Sequence, residues 1–176
     1  MRSSIILLAL GALAFGIYLG VHHASRRHAD VMTSPALAAA PELSLTDLNG
    51  AALHTASYKD KVVLVNFWAA WCKPCAEEVP QFIALQKKYQ DQGLRVIGFS
   101  VEDDAAELRD FYRKYQVNYP VVPSDLKIAD AFGGVLGLPT TFVIGRDGRI
   151  HGKHNGATNF ASLEREVVAL LRTPQS

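Results

Sequence analysis

The chain has 176 residues, 49% of them apolar and 20% charged, enough for one ordinary buried core and too apolar for disorder along its length. Its formal charge is +1, and the part after residue 39 carries 15 basic and 16 acidic side chains, which excludes a nucleic-acid surface built on a concentrated positive field. Only two cysteines occur, so a disulfide-dense scaffold and a zinc site made from cysteine alone are excluded as well.

The chain carries no charge from Ser3 to Val21, and the 17 residues from Ile5 to Val21 are apolar or small apart from Tyr18. As a helix they would span about 26 Å against a hydrocarbon core of about 30 Å. The pattern predicts a membrane anchor over residues 1–22, with a cleaved secretory signal as the alternative. The small-x-small site that cleavage would use, Ala36-Leu37-Ala38, lies well past the apolar stretch, beyond Arg26 and Arg27. Either reading exports the remainder. Arg2 precedes the apolar stretch and Arg26 and Arg27 follow it, so positive charge alone does not orient it. Residues 23–40, rich in His, Arg, Ser, Pro and Ala, read as a linker, with His22, His23 and His28 as solvated residues rather than metal ligands.

The folded part is expected over residues 41–176. Leu43, Leu45 and Leu53 flank Asn49-Gly50, a dipeptide that tolerates positive φ, so a short β-hairpin opens it. Lys61 to Trp68 is a nearly continuous apolar run suited to a strand buried on both faces. Val79, Phe82, Ile83 and Tyr89 follow helical spacing, and Gly93 ends that stretch. Leu94 to Ser100 is the next strand. Leu108, Phe111, Tyr112 and Tyr115 mark one face of a helix beginning near Asp104. Tyr119 to Val122 reads as a short strand and Asp125 to Phe132 as a helical stretch. Thr140 to Ile144 and Arg149 to His151 form a hairpin across Asp147-Gly148, and a closing helix from Asn159 presents Leu163, Val167, Leu170 and Leu171. The expected fold is one α/β domain with a mixed central sheet and helices on both faces.

The two cysteines sit in Trp71-Cys72-Lys73-Pro74-Cys75, between a buried strand and the start of a helix. The unpaired N–H groups and positive dipole end of a helix stabilise a thiolate, so Cys72 should ionise more readily than a free thiol and act as nucleophile. Lys73 adds a positive charge, and Pro74 suits the first helical turn. Cys75, one turn along and more shielded, is placed to resolve a mixed disulfide at Cys72. A Cys-x-x-Cys pair can also be half of a metal site, but no second pair exists and the histidines are scattered, so the context favours redox exchange. Pro139, in Gly137-Leu138-Pro139-Thr140-Thr141 before an apolar strand, reads on pattern alone as a turn residue.

Phe67-Trp-Ala-Ala-Trp-Cys-Lys-Pro-Cys-Ala-Glu-Glu-Val-Pro80 together with Gly137-Leu-Pro-Thr-Thr-Phe142 resembles the TlpA/ResA-like branch of the thioredoxin superfamily, over about residues 41 to 172. The resemblance implies a thioredoxin-like fold with an N-terminal β-hairpin and a central insertion near Ser100 to Pro123. It implies a cis Pro139 facing the cysteines, with the Leu138 backbone holding an extended substrate segment, and a proton-transfer role for Glu78. It further implies an extracytoplasmic reductant of protein disulfides, fed by an upstream membrane thiol reductant and serving cytochrome c maturation or oxidase copper-site assembly. The site so expected comprises catalytic Cys72, Cys75 and Glu78 and substrate-binding Trp71, Lys73, Pro74, Leu138 and Pro139, without a cofactor.

Plainer roles stand beside these. Trp68 reads as core or rim packing, Glu77 as a solvent-facing helix residue, and Glu102-Asp103-Asp104 as carboxylates opening a helix rather than a cation site. His151 and His154 read as surface histidines. The alternative function is a copper chaperone holding Cu(I) through the two thiolates and a histidine. A peroxidase on the related fold is disfavoured, because no isolated cysteine with a Thr three residues before it is present.

Overall fold

The computed structural model describes residues 37–174 apart from position 102; the expected anchor and most of the expected linker lie outside the described residues. Among the described residues no helix is long and apolar enough to cross a membrane.

The opening hairpin pairs β1 (Ser44–Thr46) with β2 (Ala52–His54), in antiparallel register with Leu45 opposite Leu53. Asp47 shapes its loop by accepting the N–H groups of Asn49 and Ala51 at 2.9 and 2.8 Å, and Gly50 supplies a φ of 83° that a side chain would resist. The main sheet follows: β3 (Val62–Trp68), β4 (Leu94–Val101), β5 (Val121–Ser124), β6 (Thr140–Ile144) and β7 (Ile150–Asn155), in the order β5-β4-β3-β6-β7. β3, β4 and β5 run parallel, whereas β6 is antiparallel to β3 and β7 to β6. Residues 37–40 add a short run beside the last hairpin, with the Ala40 N–H donating to Gly148 O and the Ile150 N–H to Ala38 O.

Every residue of β3 is buried, as an apolar run between two covered faces requires. Val62, Leu64 and Trp68 enter one core with Val79, Phe82, Leu108, Leu163 and Val167. These last five come from α1 (Lys73–Tyr89), α2 (Ala105–Tyr115) and α4 (Phe160–Leu171). Val63, Val65 and Phe67 enter the other core with Phe99, Phe132 and Phe142, beneath the hairpin and the short α3 (Leu126–Ala131). Phe67 stacks on Phe99 at 5.0 Å and meets Phe132 and Phe142 edge-on. This is a thioredoxin-like α/β fold with a mixed sheet and helices on both faces.

Two strands differ from their expected bounds by more than one residue. The stretch expected from Tyr119 becomes a strand only at Val121, because Pro120 has no N–H for a ladder and Tyr119 turns its ring into the core. Pro123 is tolerated because β5 is an edge strand. β7 runs four residues past His151, since His, Gly and Lys obscure an alternation that is nevertheless present in its burial.

Arg146 fastens the pole of the sheet remote from the cysteines. Its guanidinium donates to the carbonyls of Asp60, Gln92 and Leu171 at 2.8, 3.0 and 3.1 Å, joining the lead into β3, the lead into β4 and the end of α4. Arg146→Ala should therefore lower unfolding stability by about 2–4 kcal/mol in a denaturant titration, whereas a loss under about 0.5 kcal/mol would mean that water replaces all three bonds.

Candidate functional site

β3 ends at Trp68, and the chain turns once before α1 starts at Lys73. The turn is closed by the Cys72 N–H donating to Ala69 O at 3.1 Å. Cys72 is the N-cap of α1, in extended conformation, and its sulfur accepts the Cys75 N–H at 3.4 Å. The two sulfurs are joined as a disulfide in this structure. Cys72 is 7% exposed and Cys75 1%, so the cysteine nearer the helix terminus is also the one nearer solvent. Pro74 stands in the first turn, where its missing N–H costs no hydrogen bond. Lys73 and Glu77 form an exposed pair at 4.0 Å, of a kind that contributes little to stability.

Sheet register brings the second expected motif to the same place. Thr140 of β6 lies opposite Phe67 of β3, so Pro139 emerges beside the end of the strand that leads to the cysteines. The Leu138–Pro139 peptide bond is cis; Pro139 is buried and Leu138 half-buried, touching both cores. The Pro139 carbonyl accepts the Gly156 N–H at 2.8 Å, which ties the cis segment to the loop between β7 and α4.

That loop also reaches Glu78. Its Oε1 accepts the Thr158 N–H at 2.5 Å, and its Oε2 accepts the Thr158 hydroxyl at 3.4 Å. Burial raises the Glu78 pKa above 4.5, and the two bonds from Thr158 oppose part of that rise. Glu78 stands three residues beyond Cys75 on α1, on the same helical face. The carboxyl therefore holds its proton more tightly than a free carboxyl does.

Of the three carboxylates expected to open a helix, Glu102 lies outside the described residues and Asp104 caps the N–H groups of Ala106 and Glu107 at 2.8 and 3.2 Å, whereas Asp103 does not cap. Asp103 turns inward instead. Both of its oxygens accept the Ala70 N–H, at 3.0 and 2.8 Å, and Oδ2 also accepts the Ser100 hydroxyl. The carboxylate thus clamps the turn that carries Trp71 and Cys72. Asp103 and Thr158 had no local signature; only an acidic run drew attention to the former.

The remaining residues fall where their plainer roles put them. Trp68 is buried on Phe111, with ring centroids 4.8 Å apart, whereas Trp71 is 66% exposed. His151 pairs with Asp147 at 3.0 Å and His154 with Glu166 at 2.9 Å. Among the described residues no group of three or more His, Cys, Asp or Glu side chains is placed to hold a metal ion.

Comparison with known proteins decides the family. The AhpC/TSA family model matches residues 37–153. The thiol-disulfide oxidoreductase ResA of Bacillus thuringiensis subsp. konkukian is 30% identical over 93% of this chain and 91% of its own length. The chain belongs to the TlpA/ResA-like thiol-disulfide oxidoreductases. ResA of Bacillus subtilis is 32% identical over 85% of this chain and 80% of its own. The crystal structure of a thiol:disulfide interchange protein of Chlorobium tepidum superposes with a TM-score of 0.74 at 30% identity, covering 79% of this chain and 99% of that one. As a member of this family the chain is an enzyme of thiol-disulfide exchange, with Cys72 and Cys75 as its disulfide.

Glu78 makes a signed prediction. A carboxyl that holds its proton more tightly in the fold than in the unfolded chain stabilises fully below the ordinary carboxylate range, and that contribution is lost as pH rises through its elevated value. Glu78→Gln keeps an acceptor for Thr158 and cannot ionise. Denaturant midpoints should therefore shift in favour of the variant between pH 4.5 and neutrality; a wild-type-to-variant difference independent of pH would contradict the elevated pKa.

Proposed function

We propose that this enzyme is a membrane-tethered reductant of protein disulfides, working on the outer side of the cytoplasmic membrane. In this reading residues 1–22 are the anchor, 23–40 the linker and 41–176 the redox domain facing the periplasm. Support comes from the uncharged stretch Ser3 to Val21 and from likeness to ResA proteins over most of both lengths. The substrates are protein disulfides formed in cytochrome c maturation or in assembly of oxidase copper sites, and an upstream membrane thiol reductant restores the dithiol.

The observation that carries the mechanism is the N-cap position of Cys72. In the reduced enzyme the helix terminus favours the Cys72 thiolate. That thiolate attacks one sulfur of a partner disulfide and forms a mixed disulfide, and the other partner sulfur leaves with the bonding electron pair and takes a proton. Glu78 accepts the proton of the Cys75 thiol. Cys75 then attacks the Cys72 sulfur and expels the second partner sulfur, which is protonated in turn. The partner gains two electrons and two protons, and the enzyme ends with its Cys72–Cys75 bond. Trp71, Lys73, Pro74, Leu138 and Pro139 surround the incoming segment, whose extended backbone lies along Leu138.

Cys75→Ser should accumulate mixed disulfides with partners in the native membrane fraction, seen as thiol-sensitive bands, while Cys72→Ser should lose essentially all insulin reduction. Wild-type turnover by Cys72→Ser would remove the proposed nucleophile. A reduction potential near the roughly −120 mV of a strong oxidant such as DsbA would contradict the reductant direction.

A further inference from the structure

Pro139 and Glu78 hang on one short loop, residues 156–159, between the end of β7 and the start of α4. Within it the Gly156 N–H holds the Pro139 carbonyl, and Thr158 holds both oxygens of Glu78. Where that loop stands depends on how α4 is set against the strand it leaves. On the strand side Asn155 pairs with Thr140 of β6. On the helix side Asn159 caps the Ser162 N–H at 3.1 Å, and Phe160 meets Phe82 of α1 edge-on with ring centroids 5.0 Å apart.

The strand and the helix are also joined across the loop. His154 Nε2 and Glu166 Oε2 lie 2.9 Å apart, and because a carboxylate only accepts, the ring nitrogen donates. Among the described residues this is the one side-chain hydrogen bond between β7 and α4. The two side chains are 26% and 29% exposed, so water competes for their bond less than it does at the open Lys73–Glu77 pair. The packing leaves room for it: Gly152 faces Glu166 Oε1, and a Cβ at position 152 would collide with the carboxylate. A histidine before the loop and a glutamate after it thus close a ring through the end of β7, the loop and the first turns of α4. Neither side chain takes part in the exchange steps above. Resting on the role given to Glu78 in that reading, we propose that His154 and Glu166 are positioning residues for thiol-disulfide exchange, whose bond holds the β7–α4 loop and through it the Glu78 carboxyl. Burial raises the proton affinity of Glu78, Thr158 lowers it, and no charged side chain contributes. Loosening Thr158 leaves burial less opposed, so Glu78 then holds its proton to higher pH.

The test follows the carbon-13 resonance of the Glu78 carboxyl against pH in the oxidised full-length chain in mild detergent, the resonance being identified by its loss in Glu78→Gln. Glu166→Ala should raise the Glu78 midpoint by about half a pH unit or more. Glu166→Gln keeps an acceptor for His154 and should leave the midpoint in place. So should Asp147→Ala, which removes the His151–Asp147 pair at the other end of β7. In the reduced chain, the acid limb of the pH profile for reduction of a peptide closed by one disulfide should move up with the midpoint, slowing rates on that limb about threefold. In a Glu78→Gln background Glu166→Ala should change neither limb nor plateau. An unchanged midpoint in Glu166→Ala overturns the inference, as does an equal shift in Glu166→Gln or Asp147→Ala. The same fall in rate in the Glu78→Gln background overturns it too, because general loosening of the fold would then be the cause. A wild-type chain that reduces no disulfide peptide at any pH would instead overturn the reductase reading and the kinetic half of the inference, while the carboxyl midpoint would still decide whether the pair holds Glu78.

Discussion

The positive end of α1 falls on the sulfur of Cys72, and the rest of the site is arranged around that contact. Seventeen residues of helix align their peptide dipoles toward one N-cap, where the first N–H groups have no carbonyl of their own to bind. A sulfur in that position accepts one of these donors, and its anion gains from the others. For the contact to form, a buried strand must end one turn before the helix begins. β3 meets this requirement because it is apolar on both faces and is flanked by β4 and β6.

Three long-range ties hold the geometry. Asp103 fixes the turn before Cys72 through the Ala70 N–H. The Gly156 N–H holds the Pro139 carbonyl, and two residues later Thr158 holds the Glu78 carboxylate. One loop after β7 thus sets both the cis segment and the buried acid. Coupling of this kind gives the thiol pair a surrounding shell that does not depend on the flexibility of exposed side chains.

What could be read from the residues alone was whatever is encoded locally. The strand-to-helix junction, the N-cap cysteine, the Asn49-Gly50 and Asp147-Gly148 turns and the closing helix are each specified within a few positions, and they stand where the pattern puts them. The thioredoxin-like class followed from two motifs of a known family. By contrast, Asp103 acts on a residue 33 positions away and Glu78 meets Thr158 across 80, distances over which a single sequence has no periodicity to offer. The bounds of β5 and β7 were obscured by proline in one case and by polar residues on an edge strand in the other. Nothing in the sequence separates Leu136 from its neighbours, since only the folded loop shows which of Val135, Leu136 and Leu138 faces out.

The central claim is that the fold makes one of two chemically identical thiols anionic. The most direct measurement is the pH dependence of iodoacetamide alkylation at Cys72 in the reduced chain, read by mass spectrometry of the modified peptide. The account predicts half-maximal reactivity well below the roughly 8.5 of a free thiol, with Cys75 far slower throughout. A Cys72 that titrates like free cysteine, or reacts no faster than Cys75, would contradict it.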